Sequence, residues 1–176
     1  EWYRQAAAHD HVQAQFRLGQ LYRSGAGVEV DYPRAVKWLR RAAEHRHPEA
    51  QFELAELFRA SGGDEARQAI NWYQRAARAG SGAAMYRLGL LYEQGQGVDR
   101  DPEAALRWLD RAVEAGVAEA REAHQRLSEE LGPSRSAEAL KASDKAARAE
   151  AQGGGQAEAP AAEEPTQAEQ VQLDYG

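Results

Sequence analysis

The chain has 176 residues, 43% of them hydrophobic, no cysteine, and a net charge of −6. This length suffices for one cored domain or a short repeat array with a tail, and the lack of cysteine excludes a disulfide framework and any thiolate metal site. Residues 1–131 carry 18 basic and 20 acidic side chains and residues 132–176 carry 4 and 8, so neither part has the cationic excess that a phosphate backbone requires.

From the first residues onward, one segment recurs. Trp2 in EWYRQAA, Trp38 in KWLRRAA, Trp72 in NWYQRAA and Trp108 in RWLDRAV are spaced 36, 34 and 36 residues apart. Ala14, Ala50, Ala84 and Ala120 keep the same spacing. After the first three alanines come Leu18-Gly19, Leu54-Ala55 and Leu88-Gly89, then Leu21-Tyr22, Leu57-Phe58 and Leu91-Tyr92. Ala14, Leu18, Leu21 and Tyr22 form the i, i+4, i+7, i+8 stripe of an amphipathic helix, here termed helix A.

A glycine-rich break follows, SGAGVEVD at 24–31 and QGQGVDRD at 94–101, and then a second helix, B, with Ala35, Trp38, Leu39 and Ala42 on one stripe. Asp101-Pro102 predicts an N-cap with a first-turn proline, and Gly80 and Gly116 predict left-handed residues that end B helices. The middle repeat has RASGGDEARQA in place of the longer break and is two residues shorter. The expected division is a partial repeat at 1–13, repeats at 14–49, 50–83 and 84–119, and a polar capping helix at 120–131. Glu1 stands inside a repeat, which predicts that the natural chain starts upstream. Residues 132–176 read as a low-complexity tail. Within it 134–151 has weak helical potential, and QGGGQAEAPAAEEPTQAEQ lacks the large apolar groups needed to offset ordering entropy, so it is expected to be disordered. The terminal VQLDYG is read as an unstructured end.

Two helices of about three turns cannot bury their apolar faces alone, so stacking of hairpins must create the core. The small residue at Gly19, Ala55 and Gly89 permits close helix approach. A unit of about 36 residues with LG, a tyrosine four residues after the leucine, a GxGV loop, an aspartate, A-x-x-W and AA resembles the Sel-1-like repeat (SLR) family, a relative of the tetratricopeptide repeats. The resemblance covers residues 1 to about 131. It implies an all-α fold: a right-handed α/α superhelical solenoid of about three and a half units with a disordered C-terminal tail. It also implies a scaffold that binds another protein or peptide on its concave face.

Residues that resemble catalytic or ligand-binding groups have simpler roles. His9-x-His11 and His45-x-His47 suggest a zinc or copper site, but they are one repeat position copied once, and neighbouring repeats stand about 10 Å apart. GAGV and GQGV lack the Lys-Ser/Thr and the preceding strand of a phosphate loop. The carboxylate pairs Asp99/Asp101 and Asp64/Glu65 suit helix starts, and no nucleophile with a histidine and an orienting acid is evident. No catalytic residue, metal or cofactor is therefore expected. Nor is a nucleic-acid partner, and no apolar run reaches the ~18 residues of a membrane span. Cytosol and periplasm both remain open as locations.

On helix A, residues two apart differ by about 200° of rotation, which turns Phe16, Phe52 and Tyr86 away from Leu18, Leu54 and Leu88. Gln13, Gln20 and Arg23 share that side, as do Glu49, Glu56 and Arg59, then Leu90 and Glu93. The solenoid resemblance nominates these eleven residues for partner contact, with the aromatics as anchors and Arg23 and Arg59 receiving carboxylates. Two alternatives are a passive spacer and an envelope-ligand binder or β-lactamase-like hydrolase. The latter resembles a cysteine-stapled subgroup, whose cysteines this chain lacks.

Overall fold

The computed structural model describes residues 2–152, without the side chains of residues 63–66, 143, 144 and 146–152. The expectations for the Asp64 and Glu65 side chains and for the tail at 153–176 lie outside the described residues. The described residues form helices α1 (Trp2–Ala8), α2 (Val12–Ser24), α3 (Tyr32–Glu44), α4 (Pro48–Ser61), α5 (Gly63–Arg78), α6 (Gly82–Gln94), α7 (Pro102–Glu114), α8 (Ala118–Leu131) and α9 (Pro133–Gln152). Two units are distinguished, residues 1–143 and residues 144–176; the first contains the array, and the described part of the second is the last turns of α9.

Within the first unit, α2, α4 and α6 are the A helices and α3, α5 and α7 their B partners, each element packing mainly on its sequence neighbours. That is the quasi-one-dimensional arrangement of a solenoid. Leu39, Leu54, Leu88, Leu106, Leu109 and Tyr73 are fully buried, surrounded by alanines from both helix types. Small side chains let the helices close up, and each leucine removed from water contributes about 2 kcal/mol. The Gly19 position shows why bulk is excluded there. A Cβ on Gly19 would lie 2.6 Å from Leu39 Cγ, and one on Gly89 would lie 2.7 Å from Leu109 Cγ. In the middle repeat Ala55 faces the same layer, and Tyr73 replaces the leucine.

The loops follow from backbone chemistry. Gly25 and Gly95 take φ of 72° and 69°, and their N–H groups donate to Leu21 and Leu91 carbonyls, closing the A helices. Asp31 and Asp101 then cap α3 and α7 by accepting from the N–H groups of Arg34 and Ala104, both at 2.8 Å. At the B-to-A turns the left-handed residue is Asp10, Arg46, Gly80 or Gly116, so the glycine expectation holds and two non-glycine residues share the strained position. The next residue caps the following helix: His11, His47 and Ser81 each accept from the N–H three residues on at 3.3 Å. These histidines are helix caps, the physical reason their ring nitrogens are not gathered for an ion. Buried Gln15 and Gln51 donate to the carbonyls of Ala7 and Ala43 near the ends of the preceding B helices, beside the turn N–H groups of Asp10 and Arg46.

The tryptophans do not all share one setting. Trp38, Trp72 and Trp108 are half-buried, each with the arginine three residues later over its ring, at 5.1, 4.6 and 4.9 Å from the centroid. Arg41 thus lies on the Trp38 indole. Trp2, followed at that offset by Gln5, is 86% exposed.

Beyond Leu131 a further helix follows. Gly132 has φ 77°, as Gly62 has φ 76°, and links α8 to α9 with the same single-glycine connection that joins α4 to α5. Ser136 and Ala139 are buried, and the Ser136 hydroxyl donates to the Ser128 carbonyl at 3.0 Å. Arg135 pairs with Glu103 of α7 at 2.6 Å. After α8 the chain thus continues into α9, over the span where weak helical potential was expected. Alanine at the buried position, rather than a larger side chain, is what made its apolar stripe look weak.

Candidate functional site: the A-helix face

The A helices carry the eleven residues nominated for partner contact, and the structure divides them into groups with different roles. Phe16 is only 6% exposed and stacks on His47 with ring centroids 4.5 Å apart, so this ring joins repeats rather than standing open as an anchor. His47 Nδ1 accepts from the Ala50 N–H, which places the ring proton on Nε2, and Nε2 donates to Gln13 Oε1 at 2.9 Å. Glu49 lies 3.2 Å from the same Nδ1. Gln13, Phe16 and Glu49 therefore surround one helix cap.

Charged members of the set form a staggered ladder between repeats. Gln20 donates to Glu53 at 2.7 Å, and Arg23 stands 3.6 Å from the same carboxylate. Glu56 receives Arg87 of the next A helix at 2.9 Å, Arg59 of its own helix at 3.1 Å and the Tyr73 hydroxyl at 2.6 Å. Glu93 receives Arg126 at 2.7 Å. In each inter-repeat pair the partner is 30 to 33 residues further on, not a full repeat, because the late turns of one A helix lie beside the earlier turns of the next.

Burial alone would raise the Glu56 carboxyl, but Tyr73, Arg59 and Arg87 together outweigh it and hold it below the ordinary carboxylate range. Tyr73 is pushed well above the usual phenol range, first by burial and then by the Glu56 carboxylate beside it. Glu53, Tyr73, Arg87 and Arg126 were missed from sequence. For Glu53, Arg87 and Arg126 the signal was complementary chemistry at about the repeat length minus three, where comparison of equivalent positions does not look, whereas Tyr73 lies 17 residues from Glu56, on the other helix of the same hairpin.

What remains accessible is narrower than the nominated stripe. Phe52, Tyr86 and Leu90 are half-buried; Phe52 and Tyr86 pack on the core from outside, Phe52 against Tyr73 with centroids 5.9 Å apart. Arg59 and Arg87, converging on Glu56, keep 41% and 40% of their side chains exposed. Two guanidiniums on one carboxylate leave a local positive excess. Among the described residues no group of three or more His, Cys, Asp or Glu side chains is placed to hold a metal ion. No described helix is long and apolar enough to cross a membrane.

The Sel1 repeat family model matches residues 1–11, 12–47, 48–81 and 82–117, boundaries that fall at the B-to-A turns described above. The chain belongs to the Sel1 repeat family. A Sel1 repeat protein from Oxalobacter formigenes has a similar structure, with a TM-score of 0.63 and 36% identity, over 70% of this chain and 95% of that one. A protective antigen of uropathogenic Escherichia coli with an SLR fold matches with a TM-score of 0.70 and 27% identity, over 82% of this chain and 36% of that one. In sequence, the Sel1 array is 31% identical over 138 residues to chitin synthase regulatory factor 3 of Schizosaccharomyces pombe, covering 74% of this chain and 14% of that protein. The chain thus spans about a seventh of that relative's length. The Sel1 array is an α-solenoid of repeat-scaffold architecture, and that relative is named as a regulatory factor rather than an enzyme.

Proposed function

We propose that this Sel1 array is a non-catalytic adaptor that binds a partner protein, in an extended segment, along the concave face lined by its A helices. The observation that carries the reading is the patch centred on Glu56: half-buried Phe52, Tyr86 and Leu90 beside Arg59 and Arg87, whose combined charge exceeds that of the one carboxylate between them. A partner carboxylate would meet those guanidiniums while an apolar side chain covered Phe52 and Tyr86, an apolar centre with a charged rim. Arg23 would extend the rim, although Glu53 already takes part of its charge. Phe16, Gln13 and Glu49 support the face from within the His47 cap and are left out of the contact set. The regulatory name of the fission-yeast relative agrees with a binding rather than a chemical role.

The test is quantitative affinity capture with the parent and a Phe52→Ala/Arg59→Ala variant, with thermal melts run in parallel. The variant is expected to lose specific partners while staying folded at the assay temperature, with a melting point lowered by loss of the Phe52–Tyr73 contact and the Arg59–Glu56 bond. Identical captured sets, or loss of binding that only accompanies unfolding, would remove the groove assignment.

A further inference from the structure

Arginines of the two helix types are held in different ways. On the A-helix side Arg23, Arg59, Arg87 and Arg126 each lie within ion-pair distance of Glu53, Glu56 or Glu93. On B helices α3 and α5 they lie on aromatic rings instead: Arg40 is 5.7 Å from the Phe58 centroid, Arg41 5.1 Å from that of Trp38 and Arg75 4.6 Å from that of Trp72. Among the described residues none of Lys37, Arg40, Arg41, Arg75 and Arg78 has a carboxylate within ion-pair distance. A ring stacked on a guanidinium covers one face of it and leaves the N–H donors, which lie in its plane, free for an acceptor.

These five side chains share the outer side of the B helices. On α3, Lys37, Arg40 and Arg41 point away from buried Ala35, Leu39 and Ala42, and on α5, Arg75 and Arg78 point away from buried Ala69, Tyr73 and Ala76. Both helices are preceded and followed by another B helix, so this surface is internal to the array and not a feature of its end. Glu44 is the one acid of α3, and the described side chains of α5 include none. On α7 the balance reverses: Asp110 takes the place of Arg40, and Glu103, Asp110 and Glu114 outnumber Arg107 and Arg111. The cationic surplus is therefore confined to two neighbouring repeats.

We propose that the outer face of α3 and α5 is a second interaction surface, which binds an extended acidic segment of a partner protein through Arg41 and Arg75. Equivalent residues of neighbouring repeats stand about 10 Å apart, and an extended chain advances about 3.3 Å per residue. Carboxylates three residues apart thus meet Arg41 and Arg75 in turn, while Lys37, Arg40 and Arg78 supply the surrounding positive field. The stacked rings hold the guanidiniums in place before the partner arrives, which lowers the ordering cost of binding. Charge complementarity favours discrete carboxylates over other anions. A duplex carries about one charge per 1.7 Å, against 18 basic and 20 acidic side chains in residues 1–131. Lipid insertion needs exposed apolar groups, whereas Trp38 and Trp72 are half-buried beneath their arginines. This surface goes beyond the A-helix reading and uses none of its contact residues.

The probe is a fluorescein-labelled peptide of repeated Glu-Gly-Ser triplets, titrated with the full chain at low salt and followed by anisotropy. Saturable binding is expected below about 1 mM, weakened about tenfold when glutamine replaces glutamate in the peptide. Arg41→Ala/Arg75→Ala is expected to weaken it about tenfold, and Arg41→Lys/Arg75→Lys about fivefold, because an ammonium keeps the charge and loses the planar fork. Arg107→Ala on α7 should bind as the parent does, as should Phe52→Ala/Arg59→Ala, so the two interaction surfaces fail or stand separately. Circular dichroism melts check that each variant is folded at the assay temperature. Equal binding of the glutamine peptide, equal binding by Arg41→Ala/Arg75→Ala, or no binding at about 1 mM would overturn the proposal. So would tighter binding of phosphatidylserine vesicles or of single-stranded DNA that the same double variant abolishes, because the face would then belong to a lipid or a nucleic acid.

Discussion

The Tyr73 hydroxyl donates a 2.6 Å hydrogen bond to Glu56, and through that carboxylate α5 is tied to both α4 and α6. Arg59 and Arg87 complete the set, so a side chain nominated for partner contact holds three helices together. Glu56→Gln keeps the shape and removes the charge. It is expected to lower stability at neutral pH by about 2 kcal/mol, the scale of lost hydrogen bonds to a charged group. The folded pKa of Glu56 lies below its unfolded value, so its contribution is full above the ordinary carboxylate pKa and is lost as pH falls through the folded value. Urea melts at neutral and acidic pH should show the parent losing more stability on acidification than Glu56→Gln does. The raised Tyr73 pKa acts at the other end. Its contribution is full below pH about 10 and declines as pH rises beyond it, and Tyr73→Phe should remove the latest step of a near-ultraviolet absorbance titration.

Gly89 tests the close approach of A and B helices. Its Cβ would stand 2.7 Å from Leu109 side-chain carbons and 3.4 Å from the Ala105 carbonyl, so Gly89→Ala should destabilise by about 1 to 3 kcal/mol through overpacking. Adding Leu109→Ala relieves the clash, and the double variant is expected to be more stable than the sum of the single changes predicts. Additive losses in urea denaturation would show that the two side chains do not share that space.

Arg46 holds a left-handed backbone at φ 60° where the later repeats have glycine. Arg46→Gly should raise stability by about 0.5 to 1 kcal/mol, a relief of steric cost partly offset by the greater freedom of the unfolded glycine. Gly80→Ala should lower it by a similar amount. Thermal melts of both variants check the signs.

His47 combines a helix cap with the Phe16 stack and the Gln13 bond. His47→Ala should cost about 1 to 2 kcal/mol. His47→Ser keeps the cap in the form that Ser81 uses, so its smaller loss in chemical denaturation isolates the inter-repeat stack and the Gln13 bond. If serine and alanine are equally damaging, the cap contributes nothing measurable there.

Much of the helix pattern was legible because the chain writes it several times over. Alanine, leucine and tryptophan at fixed spacing mark the A and B stripes, and glycine with aspartate marks the breaks, since those residue types answer to local backbone needs. The staggered pairs from Gln20 to Glu53, Glu56 to Arg87 and Glu93 to Arg126 were not legible by the same comparison. Phe16 shows why: the helical wheel turns it away from Leu18, yet His47, 31 residues later, comes down over it. A wheel describes one helix and carries no information about which turn of the next helix lies alongside. The packing of α9 was faint for a different reason: serine and alanine, Ser136 and Ala139, fill its buried positions, and small residues leave almost no hydropathy signal.

The sequence by itself determined the repeat length, the kind of element and where each helix stops, because helix propensity, apolar periodicity, capping and left-handed turns act within a few residues. Only the tertiary structure decided which charges are taken up between repeats and which aromatics remain accessible. Those outcomes depend on the stagger of one hairpin against the next, a distance set by close packing around Leu39, Tyr73 and Leu109 and not by any single helix.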